Sequence, residues 1–353
     1  MISPNSFQIS KNWWMQFPYP LRLLTKIRFY AAFGAGGVIY LTSLIFNNIG
    51  LSATDIGLGF TISAIIGTLT RFFTGNYLNK KGKIQFPLIA SSILSITASL
   101  FLIFSRETYF YIIGQSFVGA AAGIYWPLVI SPNSFQISKN WWMQFPYPLR
   151  LLTKIRFYAA FGAGGVIYLT SLIFNNIGLS ATDIGLGFTI SAIIGTLTRF
   201  FTGNYLNKKG KIQFPLIASS ILSITASLFL IFSRETYFYI IGQSFVGAAA
   251  GIYWPAAEFG VPYFCYPIDT RKAYSLVRSS EALGIFLGVF LGGFMTNYLY
   301  SKSIFINDIF CMFVITYLIS TNNFSIKRNL ENFQKESVNT LKQRQLKLSL
   351  IHI

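Results

Sequence analysis

Long apolar runs separated by short polar gaps dominate this chain. Most of the runs are long enough to cross a hydrocarbon core of about 30 Å as a helix. The gaps hold the turn-forming residues and most of the lysines and arginines. The pattern therefore predicts membrane-spanning helices. They lie at about residues 29–46, 52–78, 84–104, 109–126, 157–174, 181–206, 212–232, 237–257, 280–298 and 308–320, the last after a short loop at 301–307.

An internal repeat organises these runs. Residues 2–127 recur letter for letter as residues 130–255, with Leu128 and Val129 between the copies. Structural repeats usually have periods of about 20–50 residues and drift apart in sequence, so we interpret this one as either a rearranged or misassembled gene or a recent tandem duplication. As written the chain has about ten spans, of which six are unique. Because each copy holds four spans, both copies begin on the same side of the membrane.

We predict three parts from this organisation. Residues 1–128 are a duplicated copy of spans one to four, and residues 129–320 form a six-span unit. Residues 321–353 form a basic tail, which we interpret as a truncated central loop or an out-of-frame end.

The second predicted helix starts with a capping box. The Ser52 hydroxyl can accept a hydrogen bond from the backbone amide of Asp55, while the Asp55 carboxylate reaches back. We therefore expect Asp55 and its repeat Asp183 to cap helices rather than to carry protons. Arg71 and Arg199 lie deeper in the same two helices, and we expect them to anchor the helices by snorkelling.

Composition places the chain among membrane proteins. Hydrophobic residues make up 53% and charged residues only 11%, too little polar surface for a soluble globule. The net charge of +18 lies in the gaps between apolar runs, which argues against a nucleic-acid binder. Cys265, Cys311 and the single histidine, His352, form no disulfide framework and no metal spacing. We expect an all-α polytopic membrane protein with no cofactor, no metal site and no catalytic residues, and hence not an enzyme.

The basic residues in the gaps predict the orientation. Those before the first span are Lys11, Arg22, Lys26 and Arg28, those after the second are Lys80, Lys81 and Lys83, and a basic loop is predicted at residues 269–272 and Arg278. The loop after the first span has no lysine or arginine. By the positive-inside rule the N- and C-termini are cytoplasmic, and we expect an integral protein of the plasma (inner) membrane.

The loop after the second span carries a family resemblance. Its sequence resembles the signature loop of the major facilitator superfamily, a glycine, three residues, an aspartate, a basic residue, any residue, a glycine and a basic residue. Asparagine stands where the family usually has the aspartate. The matching positions are Gly75, Asn79, Lys80, Gly82 and Lys83 in the first copy and Gly203, Asn207, Lys208, Gly210 and Lys211 in the second.

Two further stretches are similar to motifs of that family. Residues 243–247 in span four are similar to its arginine, two residues, glutamine, glycine pattern, with Gln243 in the arginine's place and Gln115 as the first-copy equivalent. We expect these amides either to line a cavity or to form helix–helix hydrogen bonds. Span five resembles the antiporter motif of that family in its pattern of glycines. Small residues at this spacing would let another helix pack closely and rock. Its glycines are Gly284, Gly288, Gly292 and Gly293.

The resemblance implies an MFS-like helical bundle, with residues 129–320 as the six-span N-terminal half of a twelve-span secondary transporter. Such a transporter moves a small-molecule substrate by alternating access, with the substrate near the midplane between two halves. The span-five glycines imply an efflux or antiporter-like permease. On this interpretation the C-terminal half is missing or is supplied by a second half-transporter.

Other interpretations stay open at this point. The main alternative is a non-transporting, truncated or rearranged membrane fragment, and a membrane-embedded enzyme or scaffold has the least support. Expected partners are the lipid bilayer and a small molecule, with no nucleic acid. No carboxylate is predicted at mid-depth, so proton coupling is left open. Glu258 and Glu281 flank the predicted loop between spans four and five, where Lys208, Lys209 or Arg271 would be their partners.

Overall fold

The computed structural model describes residues 18–81, 85–129 and 141–322. Within these ranges the chain forms ten α-helices, one short 3₁₀ helix at Trp141–Gln144 and no strand. This confirms the predicted all-α fold. The helices are α1 (Tyr19–Asn48), α2 (Ala53–Lys81), α3 (Gln85–Phe104), α4 (Thr108–Val129), α5 (Tyr147–Asn176), α6 (Ala181–Lys209), α7 (Gln213–Phe232), α8 (Thr236–Phe264), α9 (Thr270–Tyr298) and α10 (Ser303–Ser320).

Seven candidate membrane spans occur in the part of the chain that the structure describes. They lie in α2, α3, α5, α6, α7, α9 and α10, which are long and apolar enough to cross a bilayer by length and composition. The total of about ten spans stays a prediction.

The predicted capping box is confirmed at Ser52 and Asp55, where the Ser52 amide also donates to Asp55 Oδ2 at 3.3 Å, and the serine cap recurs at Ser180 and Asp183. The backbone amide of Asp55 donates to Ser52 Oγ at 3.2 Å, and the amide of Asp183 donates to Ser180 Oγ at 3.1 Å. The side chains thus satisfy amides that the first turn of a helix leaves unpaired. The helices α2 and α6 begin directly after these serines.

Several helices extend beyond the apolar runs that predicted them. The helix α5 begins at Tyr147, α8 continues to Phe264, and α10 begins at Ser303, where a loop was expected. Arg278, which was predicted to lie in a basic loop, is inside α9. Among the polar residues in these extensions, Arg156, Glu258 and Arg278 are paired inside the protein, so they continue the helices instead of ending them.

The chain divides into two compact units, residues 1–42 and 43–353. The described part of the first unit is the beginning of α1, up to Thr42. The second unit contains the end of α1 and all the other helices. The division of the chain at residue 128 stays a prediction.

In the second unit, α5 packs against α9 and α10, α7 against α8 and α10, and α6 against α8. Buried aliphatic side chains fill the space between these helices. Leu149, Leu152 and Ile155 of α5 are fully buried, together with Leu216 of α7 and Val261 of α8. Burial of these side chains stabilises the bundle through the hydrophobic effect and through dispersion contacts between closely packed atoms.

The first copy reproduces one of these helix pairs. The helix α2 packs against α4 as α6 packs against α8. A Cβ atom built at Gly67 would lie 2.9 Å from the carbonyl oxygen of Gly119, and one built at Gly195 would lie 2.9 Å from that of Gly247. Glycines at these positions let the two backbones of each pair approach closely.

Candidate functional site

The two copies of the repeat meet where α1 and α5 end. Ser43 Oγ and Ser171 Oγ lie 2.6 Å apart, at hydrogen-bonding distance. Both side chains are buried. The two serines occupy the same position in the two copies, so this contact joins a residue to its own repeat.

Two asparagine pairs continue this contact. Asn47 Nδ2 donates to Asn176 Oδ1 at 2.8 Å, and Asn175 Nδ2 donates to Asn48 Oδ1 at 3.0 Å. Asn175 is the repeat of Asn47, and Asn176 is the repeat of Asn48. Each copy therefore presents the same residues to the other, which is the pattern of an isologous contact about a two-fold axis.

A network of four charged side chains lies where α5, α8 and α9 meet. Arg156 on α5 is 1% exposed. Its Nη2 donates to Glu258 Oε1 at 2.8 Å and to Glu281 Oε2 at 2.9 Å. Arg278 donates to the same two carboxylates at 2.6 and 3.0 Å. Two guanidinium and two carboxylate groups cancel in charge, which a buried ionic group requires.

Aromatic rings cover this network. The guanidinium carbon of Arg156 lies 4.3 Å from the ring centroid of Trp254 and 5.9 Å from that of Tyr253. Arg278 lies over the same tryptophan at 5.6 Å. The Tyr274 hydroxyl donates to the backbone carbonyl of Glu258 at 3.3 Å. Cation–π contacts of this kind strengthen when water is excluded.

The partners of the two glutamates differ from the expectation. Glu258 and Glu281 pair with Arg156 and Arg278, whereas Lys208 and Lys209 are exposed. Sequence reasoning missed Arg156 because it lies just before an apolar run, where an arginine resembles an interfacial anchor. The sequence signal that points to Arg156 is the presence of Glu258 and Glu281 next to apolar runs. A carboxylate that becomes buried there needs a buried cation as its partner.

The network extends to the first copy of the repeat. Glu281 and Arg278 act electrostatically on Arg71 of α2. The Nε atom of Arg71 is buried and has no hydrogen-bond partner among the described residues. Its repeat, Arg199 of α6, is exposed. The same arginine therefore faces an ionic network in one copy and lies open in the other.

The span-five glycines lie at helix contacts on two sides of α9. Three of them face α5 and the fourth faces α2. The nearest atom to a Cβ built at each is Phe157 O (2.5 Å) for Gly284, Phe161 O (2.1 Å) for Gly288, Gly165 Cα (3.1 Å) for Gly292 and Ala53 O (2.9 Å) for Gly293. The helix α9 thus lies between one helix of each copy.

The loop motif of the second copy ends α6. Gly210 has φ +62° and its amide donates to Leu206 O at 2.8 Å, which forms a left-handed C-cap. A Cβ built at Gly203 would meet open space. The exposed side chains of the motif are Asn207, Lys208 and Lys211.

The first-copy motif is only partly described. Gly75 is buried in α2, and Asn79 and Lys80 lie in its last turn. Gly82 and Lys83 lie outside the described residues.

The two predicted cavity glutamines are buried inside helix pairs. Gln243 hydrogen-bonds to Tyr239 on the same helix, α8, and the Tyr239 hydroxyl donates to Ile184 O of α6 at 3.3 Å. Gln115 and Tyr111 repeat this arrangement on α4. Each glutamine is 1% exposed. A role in lining a cavity stays a prediction for both.

Comparison with known protein families gives a match. Residues 155–347 match the family described as Major Facilitator Superfamily. The matched region begins in α5 and takes in α6 to α10. A comparison with curated proteins finds no match.

Proposed function

Because this chain belongs to the Major Facilitator Superfamily, whose members move small molecules across a lipid bilayer, we propose that it transports a small molecule by alternating access between its two repeat copies. The apolar helices and the family together make it an integral membrane protein. In this proposal the substrate path follows the local two-fold axis that relates the copies.

The observation that carries the proposal is the contact of Ser43 with Ser171. Copies that begin on the same side of a membrane are parallel repeats, and parallel repeats are related by an axis along the membrane normal. A contact between equivalent residues lies on such an axis, so it closes one end of any path that follows it. Each hydrogen bond here contributes only about 0.5–1.5 kcal/mol net, and such a contact can open and re-form during a cycle.

We place the second closing point at the other end of the path from the serine contact. There Arg71 of the first copy interacts electrostatically with Glu281 and Arg278 of α9. Both interactions are present in this structure, and rocking of one copy against the other would open one of them while the other stays closed. The glycines of α9 support such rocking, because helices in close backbone contact can slide and tilt without moving side chains out of the way.

The proposed type is an efflux or antiporter-like permease of the plasma (inner) membrane, with cytoplasmic termini. The basis for the type is the glycine motif of α9 at Gly284 and Gly288. The basis for the orientation is the positive-inside rule. It is applied to the basic segment at the end of α6, which contains Lys208, Lys209 and Lys211.

A reversible disulfide tests the proposal. The full-length Ser43→Cys/Ser171→Cys variant is reconstituted in liposomes loaded with the low-molecular-weight fraction of a cell extract, and mass spectrometry identifies the compounds that leave. The 2.6 Å separation of the hydroxyls suits a disulfide, whose sulfur atoms lie about 2.05 Å apart. We expect saturable efflux of specific compounds from the wild type, loss of that efflux when the variant is oxidised, and recovery on reduction.

The two single cysteine variants are the matched controls, since neither can close this disulfide within one chain. Efflux that continues in the fully oxidised double variant would refute alternating access at this contact. If the wild type moves no compound, the alternative of a non-transporting membrane fragment is supported instead.

A further inference from the structure

A buried carboxylate, Asp308, lies in the second turn of α10. Its side chain is 2% exposed. Ser223 Oγ and Ser227 Oγ of α7 donate to its Oδ2 atom at 3.0 and 2.8 Å. On the other side, a Cβ atom built at Gly162 of α5 would lie 2.8 Å from its Oδ1 atom. Three helices thus enclose one carboxyl group.

No positive charge faces this carboxylate among the described residues. The helix α7 contributes two serines, α5 contributes Gly162, and α10 itself contributes the Cys311 thiol one turn further on. A carboxylate taken out of water without a cation is very costly, so such a group is neutralised.

Lys302, which shortly precedes Asp308 in the chain, has hydrogen-bond partners other than Asp308. Lys302 directs its amine to the backbone carbonyls of Ile231 and Ser233 at the end of α7. Burial lowers the pKa of this amine. Lys302 therefore caps α7 and does not neutralise Asp308.

A proton fits this site better than a metal ion. Hard cations such as calcium take six to eight oxygen ligands, and magnesium takes six, whereas the contacts to Asp308 come from two serine hydroxyls. No group of three or more metal-binding side chains occurs among the described residues. A proton needs one oxygen atom only.

From this geometry we propose that Asp308 binds the proton to which transport is coupled, an inference that rests on the proposed transport function. The carboxylate takes up one proton to become a neutral carboxylic acid and later releases the same proton. No other bond changes. The ionised form needs the two serine donors, while the neutral form is compatible with dry packing between α5, α7 and α10. The protonation state thereby biases which packing of these helices is stable.

The repeat provides an internal control for this site. Ser95 and Ser99 of α3 are the copies of Ser223 and Ser227, and both are exposed. Ser99 Oγ donates to the backbone carbonyl of Ser95 at 3.0 Å. The same two serines therefore occur once on a carboxylate and once on an open helix face.

The first measurement is infrared difference spectroscopy of the full-length protein in liposomes of phosphatidylethanolamine and phosphatidylglycerol, titrated with acid and base. We expect a carboxylic acid C=O band that appears and disappears with pH in the wild type and is lost in Asp308→Asn. Ser223→Ala/Ser227→Ala keeps the carboxyl group but removes its donors, so we expect the band to shift to higher wavenumber. Ser95→Ala/Ser99→Ala is expected to leave the band unchanged.

A band that persists in Asp308→Asn, or a band that fails to respond to pH, would overturn the proposal. The serine variants keep the test decisive if Asp308→Asn fails to fold. In that case an unshifted band in Ser223→Ala/Ser227→Ala would count against the site in the same way.

The second measurement separates this inference from the transport function. Efflux of the compounds found with the cell-extract liposomes is driven by a pH gradient and compared with exchange at equal pH. We expect Asp308→Asn to lose gradient-driven efflux and to retain exchange. Gradient-driven efflux equal to the wild type would refute proton binding at Asp308 while leaving the transport function intact. If the wild type shows no efflux at all, the transport function is refuted. The infrared result would still decide whether Asp308 binds a proton.

Discussion

Gly288 of α9 lies against the backbone carbonyl of Phe161 of α5, so closely that a Cβ atom at Gly288 would stand 2.1 Å from that oxygen. Cβ atoms essentially never approach a backbone oxygen to under 3.0 Å. The two helices are therefore in direct backbone contact at this point, and only glycine fits there.

The first prediction concerns this contact. Gly288→Ala is expected to destabilise the folded protein by about 1–3 kcal/mol, because overpacking forces the two backbones apart. Thermal unfolding of the full-length protein in detergent measures the change. Gly203→Ala is the control, since the space around Gly203 is open and alanine is the better helix former by about 1 kcal/mol. Equal melting temperatures for the two variants would contradict the close contact.

A second prediction uses two glycines with the same local sequence. Gly57 of α2 lies against Gly293 of α9, with a built Cβ 3.2 Å from the Gly293 Cα, whereas its repeat Gly185 of α6 has nothing within 4 Å. We expect Gly57→Val to lower the unfolding temperature clearly more than Gly185→Val. The intrinsic helix preference of the two sites is the same, so the difference isolates the packing of α2 on α9. An equal effect of both substitutions would mean that α2 does not pack on α9.

The charge network gives a third prediction. Arg156→Gln removes one member of a buried ionic cluster and leaves both carboxylates hydrogen-bonded to Arg278 alone among the two arginines of that cluster. Removing one partner of a buried pair costs about 3–5 kcal/mol, which unfolding in denaturant can detect. Arg199→Gln is the matched control on an exposed arginine, and we expect it to be almost neutral.

A double substitution distinguishes lost charge balance from lost packing. Arg156→Gln/Glu281→Gln removes one charge of each sign and leaves the pair of Glu258 with Arg278 at 2.6 Å. The double variant is expected to be more stable than Arg156→Gln alone, because contacting residues couple non-additively. Additive losses in this cycle would show that the charges do not interact.

The fourth prediction concerns the end of α6. Gly210 has φ +62°, a backbone conformation that costs a residue with a Cβ atom about 1–2 kcal/mol. Gly210→Val is expected to lower stability by that amount, and Gly210→Asn by less, because asparagine tolerates the left-handed region. The rate of proteolysis in the loop after α6 and the melting temperature both report the change. Valine and asparagine variants with the same stability would contradict the strained C-cap.

The sequence predicted those features that depend on neighbouring residues. Ser52 and Asp55 are three positions apart, so their hydrogen bonds follow from the helix start itself. The apolar runs and the basic glycine loop ending at Gly210 likewise predicted an all-α membrane protein of the Major Facilitator Superfamily, and the fold and the family match confirm both. The helices are local properties that hydrophobic periodicity and turn residues are enough to predict, whereas the family was predicted from the resemblance of the loop motif.

Other features could not be predicted because they join distant segments. Arg156 and Glu281 are 125 positions apart and meet only when α5 and α9 pack. Asp308 meets Ser223 and Ser227 across more than eighty positions. No spacing in the sequence marks either contact, and both were missed for that reason.

The repeat separates the two kinds of information within one molecule. Both copies have the same residues, the helices α1 to α3 have the same bounds as their repeats α5 to α7, and α2 and α6 start with the same serine cap, so sequence alone determined that much. Gly57 is packed and Gly185 is open, Ser227 binds a carboxylate and Ser99 does not. Only the tertiary structure decided these differences, because α9 and α10 occur once in the chain and each can pack against only a few helices at a time.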